Sequence, residues 1–357
     1  MKKHLFFIGT LQNGGAERVV SILAGKMAEQ GMSVEILTYY DMPVFYPVHS
    51  DVKITCVEKE TGTKSKGKNF LWVRKYFKEN ADVVISFLAP FNIYAIACNF
   101  GNGIPIIVAD RNDPTKIPSN TIVRKMRDFL YRFADGIVVQ TKKNQSYFSQ
   151  QVQKKSEVIY NPINLGENAR TALNFSKEKK IVSVGRLMAQ KNQKMLFRAF
   201  RDVLENYPDY QLVIYGEGPE REELEVCVKE LGIENNVFLP GNVTDVHERI
   251  KDAQIFVLSS DYEGMPNALI EAMCLGLAVI STKVSGATDL IIDHENGILT
   301  DLNNQEQLKM AMEELIDDPE LSKRLAENAV KLNESLELTK IMDQWIDFIK
   351  RITVEKH

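Results

Sequence analysis

Short apolar, β-branched runs punctuate the first half of the chain: Leu5 to Ile8, Val34 to Tyr39, Val52 to Val57, Val83 to Phe87, Ile106 to Ala109, Ile137 to Gln140 and Val158 to Tyr160. Helix-length amphipathic segments separate most of them. The second half repeats the scheme with Ile181 to Val184, Leu212 to Tyr215, Val237 to Leu239, Ile255 to Leu258, Ala278 to Ser281 and Ile298 to Thr300. Strands apolar on both faces that alternate with helices predict parallel sheets covered on both sides, an α/β architecture. The stretch Asn164 to Lys180 is polar and aperiodic, and the interdomain linker is expected there. Ile341, Met342, Trp345, Ile346 and Ile349 recur at helical spacing and predict a closing helix. The expected division is 1–165, 166–339, and a final segment 340–357 that packs back toward the first domain.

A length of 357 residues suits about two domains and needs no disulfide or metal to stabilise a core. With 44% hydrophobic and 26% charged residues, the chain is neither disordered, collagen-like nor a coiled coil. The net charge of -4 conceals an asymmetry: residues 1–165 carry 22 Lys+Arg against 14 Asp+Glu, and the remainder 22 against 34. The two halves therefore carry opposite fields. Cys56, Cys98, Cys227 and Cys274 are scattered, without a C-x-x-C pair, and read as buried thiols in a reducing compartment, consistent with a cytoplasmic location. The apolar start, Leu5 to Ile8, is short and passes into Gln12-Asn13-Gly14-Gly15 without an export-type cleavage site, so it reads as a first buried strand. No apolar stretch approaches the roughly 20 residues of a membrane span.

Ligands of open α/β sheets bind beyond the carboxyl ends of strands, where helix N-termini offer unpaired amides to anions. Gly14 and Gly15 follow the first strand and let backbone approach a phosphate or sugar, although Gly9 with Gly14-Gly15 has the wrong spacing for G-x-G-x-x-G. In the second half a strand leads to Gly185-Arg186, with Lys191 at the next helix start. Two cations there offset the roughly two negative charges of a sugar-nucleotide diphosphate, so charge balance needs no metal. There is no D-x-D pair, and His4, His49, His247, His294 and His357 form no sequence cluster, leaving a divalent-metal site without obvious ligands.

The most specific segment is Ser259-Ser260-Asp261-Tyr262-Glu263-Gly264-Met265-Pro266-Asn267, followed by Glu271 eight positions after Glu263. Pro266 suits the first helical position. The two carboxylates can accept hydrogen bonds from sugar hydroxyls and leave phosphates to Arg186, Lys191 and amides. Tyr215-Gly216-Glu217-Gly218 and Gly241-Asn242-Val243-Thr244 follow further strands and suit walls around a base or ribose.

Together these motifs resemble glycosyltransferase family 4, a retaining group of GT-B fold, over nearly the full chain. Gly14-Gly15-Ala16-Glu17-Arg18, Asp110-Arg111-Asn112-Asp113-Pro114 and Ser259 to Asn267 are similar to bacterial polysaccharide and glycan-assembly transferases that use UDP-galactose or UDP-N-acetylhexosamine. The resemblance implies two Rossmann-like parallel-sheet domains facing across a cleft, the first on the acceptor side and the second binding the nucleotide sugar. It implies that Arg186 and Lys191 hold the diphosphate, that Glu271 holds the ribose, and that Glu263 with Gly264, Met265, Pro266 and Asn267 holds the donor sugar and phosphate. Gly14 and Gly15 would face them from the first domain. Many relatives place a histidine where this chain has Arg111, beside Asp110. A UDP-sugar donor, a lipid-linked or oligosaccharide acceptor, and no cofactor are expected.

Two segments of the basic half interleave cations with aromatics. Lys64 to Lys78 holds six basic residues and no acid, and Arg124 to Arg132 is similar. Such helices suit docking on an anionic leaflet, which would put the protein peripherally on the inner face of the plasma membrane; they equally suit burial of an apolar face against a sheet. Competing readings are a sugar-nucleotide epimerase of related fold, which needs no acceptor, a retaining glycoside hydrolase, which needs no diphosphate clamp, and an inactive nucleotide-sugar-binding assembly partner. Nucleic-acid binding is disfavoured, since no recognised module occurs and the second half is acidic.

Overall fold

The computed structural model describes residues 2–161 and 178–354. The chain divides into two compact units, one comprising Met1–Pro162 and Leu338–His357, the other Ile163–Glu337. Most of the expected linker, Asn164 to Lys180, lies outside the described residues.

The first unit is built on seven parallel strands: β1 Lys3–Ile8, β2 Ser33–Thr38, β3 Lys53–Cys56, β4 Val83–Phe87, β5 Ile106–Ala109, β6 Gly136–Val139 and β7 Ser156–Val158. Their order is β3-β2-β1-β4-β5-β6-β7. The order reverses between β1 and β4, which places the ligand crevice of such a sheet at their carboxyl ends. β4, β5 and β6 are buried throughout, as a sheet covered on both faces requires. The expected strand at Val158 to Tyr160 is shifted: β7 pairs with β6 from Ile137↔Ser156 to Val139↔Val158, because an edge strand follows its only partner rather than its own apolar maximum.

The helix Leu338–Val354 belongs to this unit. It buries Ile341, Met342, Trp345, Ile346, Phe348, Ile349 and Ile352, and Trp345 stacks on Phe87 of β4 at 5.6 Å. At about 1.5–3 kcal/mol per buried apolar side chain, the helix contributes on the order of 10 kcal/mol before entropy, comparable with the whole stability of a domain.

The second unit has six parallel strands: β8 Glu178–Val184, β9 Gln211–Tyr215, β10 Val237–Gly241, β11 Ala253–Leu258, β12 Ala278–Thr282 and β13 Ile298–Thr300, in the order β10-β9-β8-β11-β12-β13. β8 starts three residues before the apolar run at Ile181, since the charged Glu178 and Lys180 still find backbone partners in β11 and β9. Helix Gln193–Leu204 seals one face with Met195, Leu196, Phe197, Phe200 and Val203. The switch between β8 and β11 repeats that of the first sheet, and both flanking strands run into glycine-containing loops.

Candidate active site

At the carboxyl edge of the second sheet, the β8 and β9 loops are laced by backbone hydrogen bonds. Gly185 N–H donates to Tyr215 O at 2.9 Å, Leu187 N–H to Glu217 O at 3.0 Å, and Glu220 N–H to Leu187 O at 3.1 Å. That proximity explains Gly216, whose φ is +149° and whose Cβ, were there one, would stand 2.0 Å from Gly185 O. Arg186 is exposed at the tip, and its carbonyl accepts from Gln193 Nε2 at 3.0 Å. Glu217 is held by Arg221 through bonds of 2.6–3.1 Å. Val243 lies half-buried in the loop after β10.

A 3-10 turn, Ala189–Lys191, then joins the β8 loop to the one after β11. Asp261 N–H donates to Gln190 O at 2.8 Å, Ser259 Oγ to Lys191 O at 2.8 Å, and Asn192 Nδ2 to Asp261 Oδ1 at 2.9 Å. This lacing delivers the Lys191 ammonium to Glu263, with Nζ 2.7 Å from Oε1. Ser260 Oγ donates to the same oxygen at 2.8 Å. Both side chains are mostly buried, so this is a held ion pair rather than a solvated one.

Gly264, Met265 and Pro266 are buried and lead into helix Asn267–Cys274. Pro266 caps that helix instead of occupying its first turn: its carbonyl accepts from Leu269 N–H and Ile270 N–H, and Asn267 is the first helical residue. A sequence-invisible contributor backs this loop. A Cβ on Gly286 would meet Pro266 Cδ at 2.4 Å and Gly264 O at 2.6 Å, so only glycine lets the following helix approach. Glu271 lies in the second turn, and His247 Nε2 stands 3.1 Å from its Oε2. His247 comes from helix Val246–Ile250 after β10, and only the fold brings the two together.

In the first unit, Gly14 caps helix Gly15–Glu29 just beyond β1, and Arg18 N–H donates to Gly14 O at 3.0 Å. Asp110 and Arg111 follow β5 but are buried. Asp110 Oδ2 accepts from Tyr131 Oη at 3.0 Å and lies 3.7 Å from Arg127 Nη1; burial raises its carboxyl, against the opposing pull of Arg127. Arg111 donates to Asn161 Oδ1, which also accepts from Gln140 Nε2 at 2.7 Å. Burial lowers the Arg111 guanidinium to about 9. Its Nε and Nη1 have no protein partner among the described residues.

Residues 13–167 match the family described as Glycosyltransferase Family 4, and residues 166–332 that described as Glycosyl transferases group 1. A Campylobacter jejuni GalNAc-alpha-(1->4)-GalNAc-alpha-(1->3)-diNAcBac-PP-undecaprenol alpha-1,4-N-acetyl-D-galactosaminyltransferase is 31% identical over 99% of this chain and 99% of its own. The chain belongs to glycosyltransferase family 4. A second Campylobacter jejuni relative, an N-acetylgalactosamine-N,N'-diacetylbacillosaminyl-diphospho-undecaprenol 4-alpha-N-acetylgalactosaminyltransferase, is 30% identical over 96% of this chain and 97% of its own. Among solved structures, Anabaena Alr3699/HepE in complex with UDP and glucose superposes with a TM-score of 0.83 at 19% identity, covering 98% of this chain and 100% of that one. That likeness carries the GT-B fold class.

In this glycosyltransferase the second unit thus brings Gly185, Lys191, Gly216, Glu263 and the Gly264–Pro266 turn together through direct contacts, with His247 close beside Glu271. Asp110 instead serves the interior of the first unit. Among the described residues no group of three or more His, Cys, Asp or Glu side chains is arranged to hold a metal ion. A fixed ammonium, an exposed guanidinium and the first turn of helix Asn267–Cys274 thus lie at one sheet edge.

Proposed function

We propose that this glycosyltransferase moves a hexose or N-acetylhexosamine from a UDP-sugar to a lipid-linked glycan in bacterial surface-polysaccharide or glycan assembly, with retention at the anomeric carbon. The full-length similarity to a transferase whose acceptor is an undecaprenyl-diphosphate glycan carries the acceptor class. The Lys191–Glu263 pair beside Arg186 supports the donor class, because a departing diphosphate needs positive charge already in place.

In this reading the bond from the anomeric carbon to the β-phosphate oxygen breaks with its electron pair going to the phosphate. Lys191, Arg186 and the amides of the Gly264–Asn267 segment meet the growing charge. The acceptor hydroxyl enters on the same face and passes its proton to the departing phosphate oxygen as the new glycosidic bond forms. Glu263 orients Lys191 and accepts from the donor sugar; Glu271 accepts from the ribose. Gly185, Gly216, Glu217 and Val243 shape the nucleotide side, and Gly14, Gly15 and Arg111 belong to the acceptor side. The enzyme works at the inner face of the plasma membrane, where its acceptor is anchored.

The test is nucleotide release from a panel of UDP-, GDP- and ADP-sugars, with and without lipid-diphosphate glycans, with Glu271→Ala as control. Acceptor-dependent release from a UDP-sugar is expected. Conversion of the sugar nucleotide without any acceptor would instead identify an epimerase.

A further inference from the structure

The two basic, aromatic-rich helices are built in opposite ways. On helix Lys66–Asn80, Val73 and Phe77 are buried, Phe70, Trp72 and Tyr76 pack against the core, and only Leu71 of its apolar residues is exposed. Helix Thr121–Leu130 instead buries a charge and turns apolar side chains outward. Arg127 is fully enclosed, donating to Ile117 O, Pro114 O and Asp128, with its guanidinium over the Phe148 ring. Having given its inward position to an arginine with internal partners, the helix shows Ile122 (78% exposed), Met126 and Phe129 (54%) at i, i+4 and i+7. Phe133 continues this stripe in the next turn, packing edge-on against Phe129 at 5.4 Å and against exposed Phe100 at 6.0 Å.

An apolar face of this kind marks an interaction surface. Its borders are basic: Lys125 and Arg132 are exposed beside the stripe, the Arg132 guanidinium 5.9 Å from the Phe129 ring. Asp128, the one acid of the helix, is occupied by Arg127 and Tyr147. A second copy would set these cations against themselves, whereas an anionic leaflet complements both the rim and the apolar centre. No helix among the described residues is long and apolar enough to cross a membrane.

We propose that the face formed by Phe100, Ile122, Met126, Phe129 and Phe133 inserts into an anionic leaflet, with Lys125 and Arg132 meeting lipid phosphates. The proposal deepens, and rests on, the reading of the acceptor as lipid-linked; it assigns membrane contact to this helix and not to the more basic Lys66–Asn80.

The full chain is sedimented with vesicles of phosphatidylcholine alone and of phosphatidylcholine with phosphatidylglycerol, in parallel with the double variant Ile122→Glu, Phe129→Glu. Thermal melting verifies that the variant is folded, and Phe100→Glu serves as an independent second variant. Binding to the anionic vesicles at least about tenfold above the neutral ones is expected, with a loss of similar size in the variants. Retention of the wild type in the supernatant at low salt, equal binding to both vesicles, or undiminished binding of the variants would overturn it. So would a wild-type dimer that the double variant converts to a monomer without any vesicle binding, which would make the face a self-interface. Sedimentation is read without donor or acceptor, so a failed transfer assay and a failed docking test are separate results.

Discussion

Lys191 Nζ lies 2.7 Å from Glu263 Oε1, and the two residues come from different strand-to-helix loops of one sheet. The cation we propose for the diphosphate is thus fixed before any donor arrives, so that its reorganisation cost falls on folding rather than on turnover. Because both groups act through one contact, their effects should not add. Lys191→Ala and Glu263→Gln are each expected to lower kcat by roughly 100- to 1,000-fold, and the double variant by much less than the product. Steady-state kinetics of the four proteins decides this; simple multiplication of the losses would show that the residues act independently.

Arg186 is exposed, whereas Lys191 is mostly buried. Arg186→Ala should lower turnover by roughly 100- to 1,000-fold while leaving thermal melting nearly unchanged, as for other exposed positions. Lys191→Ala should also lower the melting temperature, since it leaves the mostly buried Glu263 carboxylate without its cation, with only Ser260 Oγ still donating to it. Calorimetry alongside the kinetics separates the two.

Gly216→Ala would place a methyl 2.0 Å from Gly185 O at a φ of +149°. The expected outcome is a loss of about 2 kcal/mol or more together with weaker UDP binding, measured by urea denaturation and nucleotide titration. Gly286→Ala should act in the same direction by pushing on Pro266 and Gly264.

His247 offers a gentler perturbation. With its Nε2 3.1 Å from Glu271 Oε2, it packs against the carboxylate we propose for the ribose. His247→Ala is expected to raise the donor KM several-fold with kcat largely kept, the pattern of lost uniform binding, and His247→Gln to restore part of it.

Inside the first unit, Asp110→Ala would strip a carboxylate from the wholly buried Arg127 and the Tyr131 hydroxyl. A loss of about 3 kcal/mol is expected in urea unfolding, and an unchanged midpoint would show that Asp128 alone compensates Arg127.

Strands and the loop residues following them were legible in the sequence, because fully apolar runs between amphipathic helices leave few alternatives to parallel sheets. The pair Glu263 and Glu271 was legible too, being fixed by a short stretch of one loop and helix. What local sequence hides is anything defined by two loops at once. His247 carries no motif of its own and gains meaning only beside Glu271. Gly286 is one of 20 glycines until its helix is packed against Pro266. Asp110 reads as a polar residue after a strand, and only the enclosed Arg127 explains it. The same arginine makes helix Thr121–Leu130 look, in sequence, like Lys66–Asn80, although one exposes the apolar residues that the other packs inward.

The central claim is that fixed protein cations and helix-end amides, rather than a metal ion, take up the charge of the departing nucleoside diphosphate. The direct measurement is the initial rate of labelled sugar transfer from a UDP-sugar to a lipid-diphosphate glycan in the presence of EDTA, for the wild type and Lys191→Ala. The account predicts an undiminished wild-type rate and a variant slower by about 100-fold or more. A wild-type rate abolished by EDTA and restored by Mg²⁺, or a Lys191→Ala variant as fast as the wild type, would contradict it.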